Sequence, residues 1–359
     1  MDKPHIQIMS IWLIVSTLLL LLMIVVGGIT RLTNAGLSIV EWNPVSGIIP
    51  PISSEDWNNE FNKYTASPEF NLINNQITIS EFKYIFFIEY IHRLLGRITG
   101  IIIIIPFLIF YYLKSLTKLQ CYRLLLITCL VIIQGFMGWY MVKSGLKDTP
   151  YINHCRLAGH LLLAVVIYHQ LIAELLIIIQ PFKCYMLATS KANNSNSTSI
   201  NVINLKTKLI VLNKIIIFLL YTQIMFGALV AGLDAGLIYN EFPNMGDSLI
   251  PIEILNQSID FTMFDNQVLM QFIHRWFGIL ISCLIICYAI WLIILNKQAL
   301  RGMGMVAACL VLVQVTTGII TLVYHVPILA ALTHQIGAIL ILTTFLFIQN
   351  IVTNFELLH

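Results

Sequence analysis

Apolar residues along this chain gather in eight long blocks, without the regular polar interruptions of a water-facing helix. A run of roughly 20 apolar residues is enough to cross a bilayer as a helix. The blocks predict helices over 9–29, 84–112, 120–143, 154–180, 208–233, 267–295, 302–324 and 328–352. Polar residues collect between them, and three connections are long: 30–83, 181–207 and 234–266. The stretch Ala192-Asn-Asn-Ser-Asn-Ser-Thr-Ser199 reads as a linker that divides the chain. The expected fold is an all-α integral membrane protein with eight transmembrane helices in two pseudo-symmetric four-helix bundles. Residues 1–185 form the first bundle, 186–207 a cytoplasmic linker and 208–359 the second bundle.

Composition agrees with this pattern. Of 359 residues 58% are hydrophobic and 10% charged, where a soluble chain carries about 25% charged residues. The net charge of +3 says little as a total; its placement says more. Lys3, Lys114, Lys118, Arg123, Lys183, Lys191, Lys206, Lys208, Lys214, Lys297 and Arg301 all fall on one side of the helices. That side is cytoplasmic by the positive-inside rule, so both termini are inside and the loops 30–83 and 234–266 face outward. The first apolar block ends in Gly27-Gly28-Ile29-Thr30 with no Ala-x-Ala site, so it is read as a retained helix rather than a signal peptide. None of the seven cysteines forms a CxxC pair. A disulfide framework or a thiolate metal site is not expected.

The two halves repeat. Gly27, Ala35, Gly36, Leu37, Glu41 and Pro51 match Gly227, Ala235, Gly236, Leu237, Glu241 and Pro251 at a constant offset of 200. Ile91-His92-Arg93-x-x-Gly96 matches Ile273-His274-Arg275-x-x-Gly278 at 182. Gln134-x-x-x-Gly138 matches Gln314-x-x-x-Gly318 at 180, and His160 matches His334 at 174. With four helices per half, both halves enter the membrane the same way up, as a parallel repeat.

The histidines carry the chemistry. His92, His160, His274 and His334 each sit six to nine residues past the outer start of an even-numbered helix, about 10 Å deep at 1.5 Å per residue. A lone histidine in a helix is most simply a hydrogen-bonded core residue. Four at one depth, in two matched pairs, are better read as haem ligands between facing helices. Missing companion carboxylates argue against a di-iron site. His154 and His325, at outer helix ends, either touch a cofactor edge or do nothing; His5, His169 and His359 lie elsewhere.

Arg93 and Arg275 follow the matched histidines directly, and a buried arginine needs an anion. Haem propionates would supply one; pairing with a neighbouring acid is the other reading. Glu89 stands one turn outward of His92, whereas Gln271 holds the equivalent place before His274. Glu89 either exchanges protons during chemistry or simply pairs with Arg93 at i+4. The asymmetry suggests that the first pair handles a reaction and the second holds a permanent cofactor.

At these residues the chain resembles haem A synthases of the proteobacterial and mitochondrial type. The resemblance rests on GGITRLTNAGLSIVEWNPVSGIIPP at 27–51, ASPEF at 66–70, EFKYIFFIEYIHRLLGR at 81–97 and RLAGHLLLA at 156–164. FGALVAGLDAGLIYNEFP at 226–243, QFIHRWFG at 271–278 and HQIGA at 334–338 complete it, so it spans nearly the whole chain. It implies an oxidoreductase of the bacterial inner membrane that oxidises the C8 methyl of haem O to a formyl group, giving haem A for cytochrome oxidase. His274 and His334 would ligate a cofactor haem b, with Arg275 beside them. His92, His160 and Arg93 would bind the substrate haem, and Glu89 would be catalytic. Members from Gram-positive bacteria carry cysteine pairs in the outer loops; none is present here, so no thiol step carries over. Membrane lipid, a haem O synthase, an electron donor and a second copy of the chain are candidate partners; nucleic acid is not. The competing readings are an electron-transfer cytochrome b working with quinol and a haem transporter.

Overall fold

The computed structural model describes residues 3–43, 46–146, 150–188, 200–255 and 261–354. The described residues are helical, with no strand among them. Eight helices are long and apolar enough to cross a membrane: His5–Leu32, Ile79–Tyr112, Lys118–Gly145, His154–Ile179, Asn204–Gly232, Gln267–Ile294, Gln298–Val323 and Ile328–Thr353. In full the helices are α1 (Lys3–Leu32), α2 (Ser54–Thr65), α3 (Pro68–Leu72), α4 (Ile79–Tyr112), α5 (Lys118–Gly145) and α6 (His154–Ala188). They continue with α7 (Ile200–Gly232), α8 (Ile252–Leu255), α9 (Gln267–Ile294), α10 (Gln298–Val323) and α11 (Ile328–Asn354). The polar stretch 192–199 and His359 lie outside the described residues.

Three features differ from the sequence pattern. First, α4 begins at Ile79 rather than near 84, because Thr78 caps it in a reciprocal box with Glu81. Second, α7 begins at Ile200 rather than near 208, so part of the expected linker is helix. Third, the first outer loop is not structureless. It holds α2, started by a Ser53–Asp56 capping box, and α3, started by Ser67 with Pro68 in its first turn.

The chain divides into two compact units, Val15–Tyr168 and Met1–Ile14 with His169–His359; the boundaries fall inside α1 and α6. In the first unit α2 and α3 dock on the outer end of α4. Trp57, Tyr64, Phe82 and Phe86 are buried there, with Phe61, Phe70, Ile77 and Tyr90 packed around them. Trp57 meets Phe86 edge to face at 5.1 Å, and Tyr64 lies 5.0 Å from Phe82, both within the favourable range for aromatic pairs. This cap explains the length of α4: its first turns bury aromatics against α2 and α3. In the second unit α7, α9, α10 and α11 pack on one another.

Candidate functional site

From the first residue of its helix His92 stands 13 residues in, His160 six, His274 seven and His334 six. The larger figure for His92 reflects the capped start of α4 ahead of its apolar block. In each helix the histidine therefore lies about two turns into the apolar run.

Each imidazole rests on a glycine of an odd-numbered span. A methyl group added at Gly27 of α1 would lie 3.4 Å from His92 Nε2, and one at Gly138 of α5 3.2 Å from His160 Cε1. In the second unit, a methyl at Gly227 of α7 would lie 3.0 Å from His274 Cε1, and one at Gly318 of α10 only 2.7 Å from His334 Cε1. At Gly138, Gly227 and Gly318 the ring occupies space that a side chain would fill, whereas at Gly27 a methyl would meet the ring at ordinary contact distance.

His274 and His334 face each other with ring centroids 6.3 Å apart and planes at 81°. Metal–imidazole bonds run about 2.0–2.1 Å, and a ring centroid sits roughly 1.1 Å behind its nitrogen. Two axial imidazoles on one metal therefore place their centroids about 6.2–6.4 Å apart, which this pair matches. His334 Nδ1 is 3.0 Å from the Gln314 carbonyl oxygen. Donating to it holds the proton on Nδ1 and leaves the Nε2 lone pair available to bind a metal. The Gln223 amide nitrogen donates to the His274 carbonyl at 2.9 Å and lies 3.1 Å from its Nδ1. In the first unit Gln134 serves His160 likewise, donating to its carbonyl at 3.0 Å and touching its ring at 3.3 Å. His160 is within electrostatic range of His92. Among the described residues no three His, Cys, Asp or Glu side chains gather to hold a bare ion.

Glu89 is buried at 2% exposure, and its carboxylate is fully occupied. Oε1 accepts from Arg93 Nε at 2.9 Å and Nη2 at 2.6 Å. Oε2 accepts from Ser38 Oγ at 2.7 Å and the Ile39 amide at 2.9 Å. The i+4 pairing left open by the sequence is thus present, and Glu89 is the anion that Arg93 needs.

The rest of the Arg93 guanidinium donates to the Ile39 and Glu41 carbonyls at 2.8 and 3.0 Å. Arg275 repeats this on the matched loop, donating to Tyr239, to Glu241 at 2.8 Å and to Asn244 at 3.1 Å. Gln271, in the place of Glu89, also donates to Tyr239 at 3.0 Å. Both arginines therefore pin the outer loops to the helices. Loop carbonyls at the edge of the bilayer need such donors where water is scarce. Propionate contact would have to be shared with this task.

The remaining histidines stand apart. His169 bonds Tyr221 at 2.9 Å, His154 begins α6 half-buried, and His325 is exposed in the turn before α11. No disulfide forms among the described residues.

One acid was legible only as part of a motif. Glu69 of α3 is 5% exposed and accepts from Tyr64 Oη at 3.1 Å; Asn74 in turn donates to Tyr64 at 2.9 Å. Burial pushes the Glu69 carboxyl up to about 7, the Tyr64 hydroxyl opposes this, and the charge of Glu89 adds to it. Burial likewise pushes the Tyr64 phenol up.

Comparison with known proteins agrees with this picture. Residues 10–346 match the family described as cytochrome oxidase assembly protein. The chain is 96% identical over 359 residues, the full length of both, to the heme A synthase of Orientia tsutsugamushi (strain Boryong). It is 44% identical over 343 residues to that of Rickettsia bellii (strain RML369-C), covering 96% of this chain and 98% of the relative. Against that of Rickettsia prowazekii (strain Madrid E) identity is 43% over 339 residues, covering 94% and 96%.

Proposed function

We propose a division of labour within a chain that belongs to the haem A synthase family of cytochrome oxidase assembly proteins. The chain is a multi-pass membrane enzyme that converts haem O to haem A, an oxidoreductase reaction. In our reading His274 and His334 hold a resident haem b, and His92 and His160 bind the substrate haem O. The observation that carries this is the 6.3 Å separation of the His274 and His334 rings, together with the Gln314 carbonyl that fixes the ligand nitrogen of His334. A haem b bound there would supply one-electron transfer.

The residues of the chain do the rest. Gly138, Gly227 and Gly318 let the rings approach. Arg93 and Arg275 fix the outer loops over the helices, and the aromatic cap closes the outer end of α4. Glu89, one turn before His92 on α4, is the acid–base group we assign to the substrate pair. Turning the C8 methyl into a formyl group would take two hydroxylations, each using one dioxygen with two electrons and two protons from the donor and releasing one water, first to a hydroxymethyl group and then to a geminal diol that loses water. Arg93, Ser38 and the Ile39 amide hold Glu89 in one rotamer, so it would take a proton from the substrate by giving up one of these bonds. The halves 1–185 and 208–359 are the substrate and haem b halves, set in a bacterial inner membrane with both termini cytoplasmic. Haem O synthase and an electron donor are the partners this chemistry requires.

The test is pigment analysis of cells that make haem O, expressing the chain or its Glu89→Gln variant. Gln271 shows that glutamine is accommodated at the matched place. The expected result is haem A with the native chain and haem O alone with the variant, at equal resident haem. Equal haem A from both would remove Glu89 from the chemistry.

A further inference from the structure

Three of the four imidazoles are held by a hydrogen bond and the fourth is not. Gln134 touches the His160 ring, Gln223 the His274 ring, and the Gln314 carbonyl the His334 ring. Among the described residues no hydrogen bond reaches the His92 ring. The reason lies in α1. Gln223 stands four residues before the glycine that supports His274, and the matching residue, four before Gly27, is Met23. The backbone settings agree, since a methyl at Gly278 would meet the Gln223 amide at 2.8 Å and one at Gly96 the Met23 Cε at 3.5 Å. A thioether donates nothing and accepts weakly, so α1 cannot fix the orientation of His92. The glycine contact is also the loosest of the four, at 3.4 Å against 3.2, 3.0 and 2.7 Å.

In the second unit the position is built to lock. Gln223 Oε1 is buried with no hydrogen-bond partner among the described residues. A half-turn of the amide offers it to the Nδ1–H that a metal-bound imidazole carries. Met23 has no such capacity.

We propose that His92 is the exchangeable ligand of the enzyme, and that methionine at 23 in place of glutamine makes it so. This rests on the reading of His92 and His160 as the substrate pair. A pair that binds substrate must also let product go. One firm ligand, His160, and one loose ligand, His92, keep the substrate seated while one axial face opens. The resident pair, locked at both rings, never opens.

The experiment is carbon monoxide titration of the reduced, haem O-loaded enzyme, followed in the Soret band, since carbon monoxide binds only where an axial ligand leaves. The native chain is expected to bind it at the substrate haem alone. Met23→Gln should weaken that binding about fivefold or more, the factor one net hydrogen bond supplies, while Met23→Leu should not. Gln223→Met should make the resident haem reactive in turn. Unchanged binding in Met23→Gln, or an unreactive resident haem in Gln223→Met, overturns the proposal. His92→Ala separates the two levels of inference. A changed substrate-haem spectrum upholds His92 as a ligand whatever Met23 does, and an unchanged one overturns both the pair assignment and the proposal.

Discussion

Ionising Glu69 should loosen the outer cap. Its carboxyl stands near 7 in the folded cap against 4.5 for an ordinary glutamate, so the folded state favours the protonated form. The stabilisation this gives is complete below about 4.5, declines as pH rises, and is lost above about 7. The full difference of roughly 2.5 units corresponds to about 3 kcal/mol. Between pH 5.5 and 8.5 the linkage relation gives about 2 kcal/mol, or roughly 30-fold in the opening equilibrium. Hydrogen exchange of peptides covering 54–78, corrected for intrinsic base catalysis, reads this opening directly. Native protein should lose protection by that factor over this range. Glu69→Gln, which keeps an acceptor for Tyr64 and has no proton to lose, should show a flat profile. A flat native profile, or an equal slope in the variant, would refute the assignment of the titration to Glu69.

Other substitutions address packing at the pairs and the cap. Gly318→Ala places a methyl 2.7 Å from the His334 ring, so resident haem per chain should fall sharply, measured as pyridine haemochrome. Gly302→Ala, where nothing lies within 4 Å, should leave it unchanged, although alanine improves helix propensity by about 1 kcal/mol at both places. Trp57→Ala removes a buried anchor of the cap and should cost about 3–5 kcal/mol locally, seen as faster proteolysis between 54 and 78 with the transmembrane helices intact by circular dichroism.

The spans were legible because bilayer solvation demands long apolar runs, and those runs survive in one dimension. The histidine pairs were legible because a polar residue inside such a run stands out and because the halves repeat. What the apolar pattern hid was whatever polar or mixed sequence encodes. Thr78 and Glu81 extend α4 by a capping box that lies outside the apolar block, and α2 and α3 look like an ordinary polar loop until Trp57, Tyr64, Phe61 and Phe70 find one surface. The pairing of Arg93 with Glu89 could be read from i+4 spacing, but the carbonyls that Arg93 and Arg275 also reach belong to residues 31 to 54 positions distant, and spacing carries no trace of them. Gly27, Gly138, Gly227 and Gly318 showed in the repeat as matches without a cause. At Gly138, Gly227 and Gly318 the cause is steric, and only the placement of the rings reveals it.

The central claim is that His274 and His334 hold a resident haem distinct from the substrate. Haem should therefore be measured in protein purified from cells that make no haem O, for the native chain and for His274→Ala and His334→Ala. The native chain should carry one low-spin b-type haem, and each variant should carry none while remaining folded and membrane-inserted. Native levels of low-spin haem in both variants would contradict the assignment.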